Sequence, residues 1–440
     1  MESIGQYLKG IREELNMPLQ EVCKRTNIDT TLLSRIENGK RLPTKDQVIH
    51  LVRLYGCDEH KSLVLLGSEK ILFSLDGDNK YKLEVIQAAA EKIKFGKTQS
   101  FNDSARRFEL ESRRYIGNKA KLTQWIINII QEHTGGFHSF FDVFAGTASV
   151  SKAVIPYTDN IVMNDFLFSN NIIYKAFFDK GKYEEAKLLN LLIQYNGINP
   201  NDIQANYFSD NFGDKFFDYK NAKLIGWIRE DIEKHRNSLT EKEYAILLAS
   251  LIYSIDRIAN TVGHFDAYIK KPITYRPLTL QLIKPLSPKS VRIYREDSNI
   301  LATRVSADIA YIDPPYNSRQ YSRFYHIYEN LTTWEKPKLY GVAMKPKPQN
   351  MSAYCTTGAA AAFKDLIMKL RVRYIAVSYN NTYNSKSGSS KNKITLKEIR
   401  DILEQRGRTT IYDCAHKCFN TGKTEFINHK ELLFITEVQQ

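Results

Sequence analysis

Over the first 70 residues, apolar positions recur at helical spacing and are cut by short polar turns. Ile4, Leu8 and Ile11 share one face of a helix that Met17-Pro18 interrupts. A second helix is predicted from Leu19 to Thr26 and a third from Thr30 to Glu37, with Asn27-Ile28-Asp29 as the turn between them. Asp29 is placed to cap the third helix, and Asn38-Gly39 to end it in a left-handed C-cap. Pro43 and Thr44 then open a helix carrying Val48, Leu51, Val52 and Leu54. From about Arg113 the pattern changes. Apolar runs at Phe140–Phe144, Ile161–Met163, Ile309–Ile312 and Ile375–Tyr379 read as strands, and longer helical stretches separate them. Strands alternating with helices predict a mostly parallel sheet with helices on both faces. Residues 68–110 are polar and lysine-rich and read as a linker, partly helical around Lys82 to Lys94. The expected division is a helical domain over 1–67, this linker, and an α/β domain over 111–440.

Composition narrows the class. Hydrophobic residues make up 42% of the 440 and charged residues 25%, which suits globular domains with ample cores. Lys and Arg number 63 against 49 Asp and Glu, a net charge of +14 that favours a polyanionic partner. Cys23, Cys57, Cys355, Cys414 and Cys418 are odd in number and scattered, which excludes a disulfide framework and points to a reducing cytoplasm. Cys414, His416 and Cys418 lie close together but lack a second ligand pair, so no metal site is expected. No run approaches the length of a membrane span, and Met1 leads into a polar helix instead of a signal peptide.

Two short helices joined by a tight turn, the second bearing Thr31, Ser34 and Arg35, describe a helix-turn-helix. The segment Leu33-Ser34-Arg35-Ile36-Glu37-Asn38-Gly39-Lys40-Arg41-Leu42-Pro43 resembles the phage-repressor-like helix-turn-helix family, over roughly residues 2–67. That resemblance implies that Gln20 meets phosphate, while Thr31, Ser34 and Arg35 face the major groove.

Phe141-Asp142-Val143-Phe144-Ala145-Gly146-Thr147-Ala148 ends a strand and begins a helix, and its small residues let the backbone approach a ligand. Ala148 stands where a further glycine often occurs. Val162-Met163-Asn164-Asp165 closes the next strand in a carboxylate, placed to accept from both hydroxyls of a ribose. Upstream, Arg114-Tyr115-Ile116-Gly117-Asn118-Lys119 resembles the N-terminal motif of the alpha-group amino methyltransferases, the DNA adenine methylase family. The resemblance implies a Rossmann-like class I methyltransferase fold and S-adenosylmethionine as cofactor. By it, Tyr115, Gly117 and Lys119 lie against the cofactor or nearby DNA, Asp142, Phe144 and Gly146 form its main loop, Asp165 holds its ribose and Asp297 its adenine.

Ile309-Ala310-Tyr311-Ile312-Asp313-Pro314-Pro315-Tyr316 is an apolar strand ending in a rigid turn. Amino-group methylation needs such a site, because the lone pair of an adenine amino nitrogen is delocalised into the ring. Acceptors on its two protons, the Asp313 carboxylate and the Pro314 carbonyl, favour a pyramidal nitrogen, and positioning does the rest. Tyr316 is placed to stack on a base taken out of the duplex. The loop Asn317-Ser318-Arg319-Gln320-Tyr321 follows, with Arg319 a candidate DNA contact; Tyr325 and His326 are open between base pocket and core.

The order of motifs is that of the alpha group, in which a long insertion carries target recognition. Residues 171–290 take that place as an inserted, largely helical region with Tyr174, Lys175, Phe216, Phe217, Tyr219 and Lys220. Within it, Asp256 to Phe265 followed by Lys270 resembles the family's segment near the target base, which makes Asn260 and Lys270 candidate DNA contacts; an ordinary turn at Asn260 and Gly263 is the competing reading. The reading implied is a site-specific adenine N6-methyltransferase acting on double-stranded DNA, the modification enzyme of a restriction–modification system with a separate cognate endonuclease. A cytosine N4-methyltransferase and a transcriptional regulator with a cofactor-sensing domain are the alternatives.

Overall fold

The computed structural model describes residues 3–74, 107–315, 317–381, 392–415 and 430–439. The expected helix at 82–94, Tyr316, His416 and Cys418 therefore lie outside the described residues. The chain divides into two compact units, Met1–Ser100 and Phe101–Gln440.

In the first unit the predicted helices form as α1 (Ile4–Glu14), α2 (Leu19–Thr26), α3 (Thr30–Glu37) and α4 (Lys45–Tyr55), followed by α5 (Glu59–Ser74), which runs past the expected boundary at 67. Local chemistry sets their ends. Asp29 accepts from the amides of Thr31 at 2.8 Å and Leu32 at 3.2 Å, and Gly39 takes the left-handed φ of +68° just beyond α3. Ile4, Leu8, Val22, Leu33, Val48 and Leu51 fill the core between the helices. Beneath α3 the guanidinium of Arg12 grips Glu37, with Nε–Oε1 at 2.6 Å and Nη2–Oε2 at 2.8 Å. Gln20, Thr31 and Arg35 are exposed and Ser34 is half-buried.

The second unit is built on a seven-stranded sheet: β1 (Ser139–Asp142), β2 (Asn160–Asn164), β3 (Ser290–Tyr294), β4 (Ser306–Ile312), β5 (Arg371–Asn380), β6 (Gly407–Ala415) and β7 (Lys430–Val438). The spatial order is β3-β2-β1-β4-β5-β7-β6; β1 to β5 are parallel and β7 runs antiparallel to both its neighbours. This is the mostly parallel, Rossmann-like arrangement expected. Successive strand residues feed opposite layers, as a sheet covered on both faces requires. Phe140, Ile161, Met163, Ile309 and Tyr311 enter one core, while Phe141, Val162, Ala310 and Ile312 enter the other.

Between β2 and β3 the chain inserts five helices, α6 (Phe168–Phe178), α7 (Glu185–Gly197), α8 (Tyr207–Phe212), α9 (Tyr219–Lys234) and α10 (Glu241–Ile258), then a long irregular stretch. Much of this insertion is core. Tyr174, Phe216 and Phe217 are fully buried, so these aromatics pack the protein and are not held out to a ligand. Tyr219 and Lys220 do stay exposed. Among the described residues no helix is long and apolar enough to cross a membrane.

Candidate cofactor and active site

Parallel strands bring all their carboxyl ends to one edge, and the order reverses direction between β1 and β4, the place where such sheets open a crevice. Here each of four neighbouring strands ends in an acid: Asp297 after β3, Asp165 after β2, Asp142 at the end of β1, and Asp313 after β4. All four line one cavity of about 290 Å³, together with Tyr115, Gly117, Lys119, Phe144, Gly146 and Pro314. Every described residue expected to hold the cofactor or the reacting group is thus brought to a single place.

Left-handed backbone shapes the cavity both before β1, at Gly117, and in the loop after it. Gly117 (φ +80°) and Gly146 (φ +52°) present no side chain there, and a Cβ on Gly117 would stand 3.3 Å from the Tyr321 hydroxyl. Ala148 adopts φ +60° without being glycine, a local strain of about 1–2 kcal/mol held by complete burial.

The four acids differ in environment. Asp142 is buried; Ser151 donates to its Oδ2 at 2.5 Å, and its Oδ1 has no hydrogen-bond partner. Burial pushes its carboxyl up to about 7, against the opposing pull of Ser151. Asp165 accepts from the amides of Gly146 at 3.0 Å and Leu167 at 2.8 Å, and burial raises it above the usual carboxylate range despite those bonds. Its Oδ2 also accepts from the Tyr174 hydroxyl at 3.4 Å, so the capacity left for a ligand lies chiefly on Oδ1. Asp297 caps a single helical turn, accepting from Asn299 at 2.9 Å and Ile300 at 3.2 Å, while it lines the cavity. Asp313 lies 3.4 Å from the Lys119 ammonium. Burial would lower the pKa of Lys119, but Asp313 and Glu431 outweigh it and raise it, so the lysine stays charged.

Aromatic rings wall the cavity. Tyr115 stacks near Tyr325 (4.6 Å between centroids, 7° apart) and Tyr321 (5.5 Å, 23°), which are 6.2 Å from each other, and the Arg113 guanidinium is 4.9 Å from its ring. Tyr325 and His326 are both buried, which settles them as core: the Tyr325 hydroxyl accepts from the Ile116 amide at 2.9 Å, and His326, lowered to about 3 by burial, sits among Phe212, Phe216 and Phe265. On the Asp297 side Tyr354 packs edge-on to Phe144 at 4.9 Å and donates to Asn299 at 2.8 Å. Tyr354, Asn299 and Glu431 carry no local motif, and sequence reasoning passes over them.

The candidate DNA contacts are less uniform. Asn260 donates to the carbonyls of Lys215 and Ile269, both at 2.9 Å, so its amide closes a loop, as the turn reading requires. Lys270 is exposed, and the Arg319 guanidinium is half-buried, 5.7 Å from the Phe324 ring centre.

Comparison with known proteins fits this geometry. A helix-turn-helix domain family matches residues 3–63. The chain is 34% identical over 286 residues to the modification methylase StsI of Streptococcus sanguinis, covering 61% of this chain and 44% of that one. It is 27% identical over 328 residues to the type II methyltransferase M.NlaIII of Neisseria lactamica, covering 72% and 95%. To the type II methyltransferase M.FokI of Planomicrobium okeanokoites it is 30% identical over 320 residues, 68% of this chain and 48% of that one. The chain therefore spans under half the length of two of these relatives and nearly all of the third. Residues 115–382, which run from the stacked Tyr115 past the end of β5, match the family of D12 class N6 adenine-specific DNA methyltransferases, and with over half of its length so matched the chain belongs to that family.

Proposed function

We propose that this protein is a site-specific DNA methyltransferase that moves the methyl group of S-adenosylmethionine to N6 of an adenine in duplex DNA. Its place is in the cytoplasm, as the modification enzyme of a type II restriction–modification system whose endonuclease acts separately. One observation carries the reading: Asp313, the acceptor at the end of β4, shares a cavity with the carboxylates of the three strands beside it.

The residues present fit the cofactor. Gly117 and Gly146 leave the backbone bare where a ligand must lie close. Asp142 offers a buried, unpartnered oxygen, and an acidic lining of Asp165, Glu296, Asp297 and Asp313 besides Asp142, against one lysine, favours a cationic ligand. Asp165 would hold the ribose, Asp297 and Phe144 the adenine end, and Tyr115 the methionine end. When bound, S-adenosylmethionine supplies an electron-poor methyl group on a sulfonium. Asp313 and the Pro314 carbonyl accept the two amino protons of the target base, which localises the nitrogen lone pair and aims it. Tyr316 stacks on the flipped base. Lys270 and Arg319 serve the DNA backbone, and in the helical unit Gln20, Thr31, Ser34 and Arg35 bind the chain's own promoter or DNA flanking the target.

Transfer of tritium from labelled cofactor to DNA tests this. Asp313→Ala is expected to lower the rate by at least about a hundredfold while cofactor binding persists. Full activity of the variant overturns the mechanism, and methylcytosine without methyladenine in the digested product overturns the choice of base.

A further inference from the structure

Glu431 stands at the start of β7, opposite Asn380 of β5 and Cys414 of β6, in a stretch that carries no methyltransferase motif. Its Oε2 lies 3.4 Å from the Lys119 ammonium, the same distance that separates Lys119 from Asp313 Oδ1. The lysine side chain is 6% exposed, that of Glu431 8% and that of Asp313 17%, so water contributes little to this cluster. Glu431 thus puts a second carboxylate on one ammonium in a buried place. Burial penalises such a charge, and a glutamine in the same position would bond the lysine at lower cost. The second carboxylate therefore needs a use beyond satisfying Lys119.

Its position supplies one. Alone with Asp313, Lys119 would hold the carboxylate in a closed neutral pair and drain its strength as an acceptor. With Glu431 at the same distance of 3.4 Å, the ammonium is shared by two anions. Asp313 is then steadied by a cation that does not neutralise it, and it faces the amino group where positive charge develops during methyl transfer.

We propose that Glu431 is a positioning residue for methyl transfer, acting through Lys119 to orient the Asp313 carboxylate and keep it a strong acceptor. This rests on the reading of Asp313 as the group that accepts from the target amino nitrogen. Glu431→Gln removes the charge, keeps the shape and leaves a neutral buried pair.

The test is single-turnover transfer of tritiated methyl to DNA by the full chain, with cofactor and DNA affinities measured separately. The wild-type chain must first show transfer, and its failure to do so defeats the functional reading itself. Given transfer, Glu431→Gln is expected to slow the methyl step by about ten- to a hundredfold, as loss of residues supporting a reactive group typically does. Both affinities should stay within about twofold, and Glu431→Asp, which restores the charge, should recover most of the rate. An unchanged rate in Glu431→Gln overturns the proposal. So does equal impairment of the Asp and Gln variants, or a loss of cofactor affinity in step with the rate. A Glu431→Gln chain that does not fold, judged by its thermal transition, makes Glu431 structural and overturns it as well.

Discussion

In the helical unit the side chains proposed to meet DNA, Thr31, Ser34 and Arg35, sit on one eight-residue helix whose ends are fixed by its own neighbours. The cavity of the α/β unit instead draws Tyr115, Asp142, Asp165, Asp297, Asp313 and Tyr354 from separate stretches of chain. A short local signature suffices for the first, because a helix and its caps depend on residues within a few positions. The second exists only once the sheet has aligned four strand ends. Damage should differ accordingly: the helical unit is vulnerable through its stability, the cavity through the balance of its charges.

The largest effect is expected at the Arg12–Glu37 pair of the helical unit, a buried carboxylate on a partly buried guanidinium. Glu37→Ala takes the paired carboxylate from the Arg12 guanidinium, leaving it the Met17 carbonyl, and should destabilise that unit by about 3 kcal/mol or more. Heating should then show an early transition for the helical unit, with the transition of the α/β unit unmoved; a single unshifted transition would break the contrast.

Asp142 sharpens the contrast from the other side. Its folded pKa of about 7 lies above the value of about 3.9 expected when unfolded, so the native carboxyl holds a proton that the unfolded chain releases between them. The native state binds more protons, and stability accordingly falls as pH rises through that window. Asp142→Asn should remove this slope, raising stability without cofactor at pH 8 by the order of 2–4 kcal/mol and converging with wild type near pH 4. Cofactor binding should weaken in the same variant. Denaturant titrations at several pH values check the first expectation and calorimetry the second; parallel pH profiles for the two chains would show that Asp142 is not strained by burial.

The smallest effect concerns Ala148. Glycine there relieves the left-handed strain but deletes a buried methyl group worth about 0.8 kcal/mol and frees the unfolded chain. The terms oppose, and Ala148→Gly should change stability by no more than about 1 kcal/mol. A much larger gain would mean that the loop is strained beyond its backbone angle.

The parts legible in sequence are those governed by short range or by deep burial. β1, β2, β4 and β5 announce themselves because both faces are covered and nearly every side chain is apolar. β3 and β6 are edge strands with Arg292, Arg408 and exposed positions, and the apolar pattern does not single them out. β7 did carry a usable signal in Leu432-Leu433-Phe434-Ile435, close to the end of the chain. Asp142, Asp165 and Asp313 were readable because each ends or follows an apolar strand, whereas Asp297 was reached only through the family resemblance. Tyr354, Asn299 and Glu431 were not readable, since only the fold carries the first two to the cavity and Glu431 to Lys119. The aromatics of the insertion misled for a related reason: composition suits a binding surface and a packed interior equally, and burial alone separates Phe216 and Phe217 from Tyr219.

The row of acids has a further consequence. Strands in a sheet repeat at about 4.8 Å, so the ends of β3, β2, β1 and β4 mark out a scale of roughly 14 Å with a carboxylate at every division. A ligand laid along that scale is measured as well as bound. A molecule that stops short leaves one end of the scale unread, and one that overruns it meets the wall of Tyr354 or the Lys119 cluster. The sheet thus gauges length before any single contact gauges chemistry.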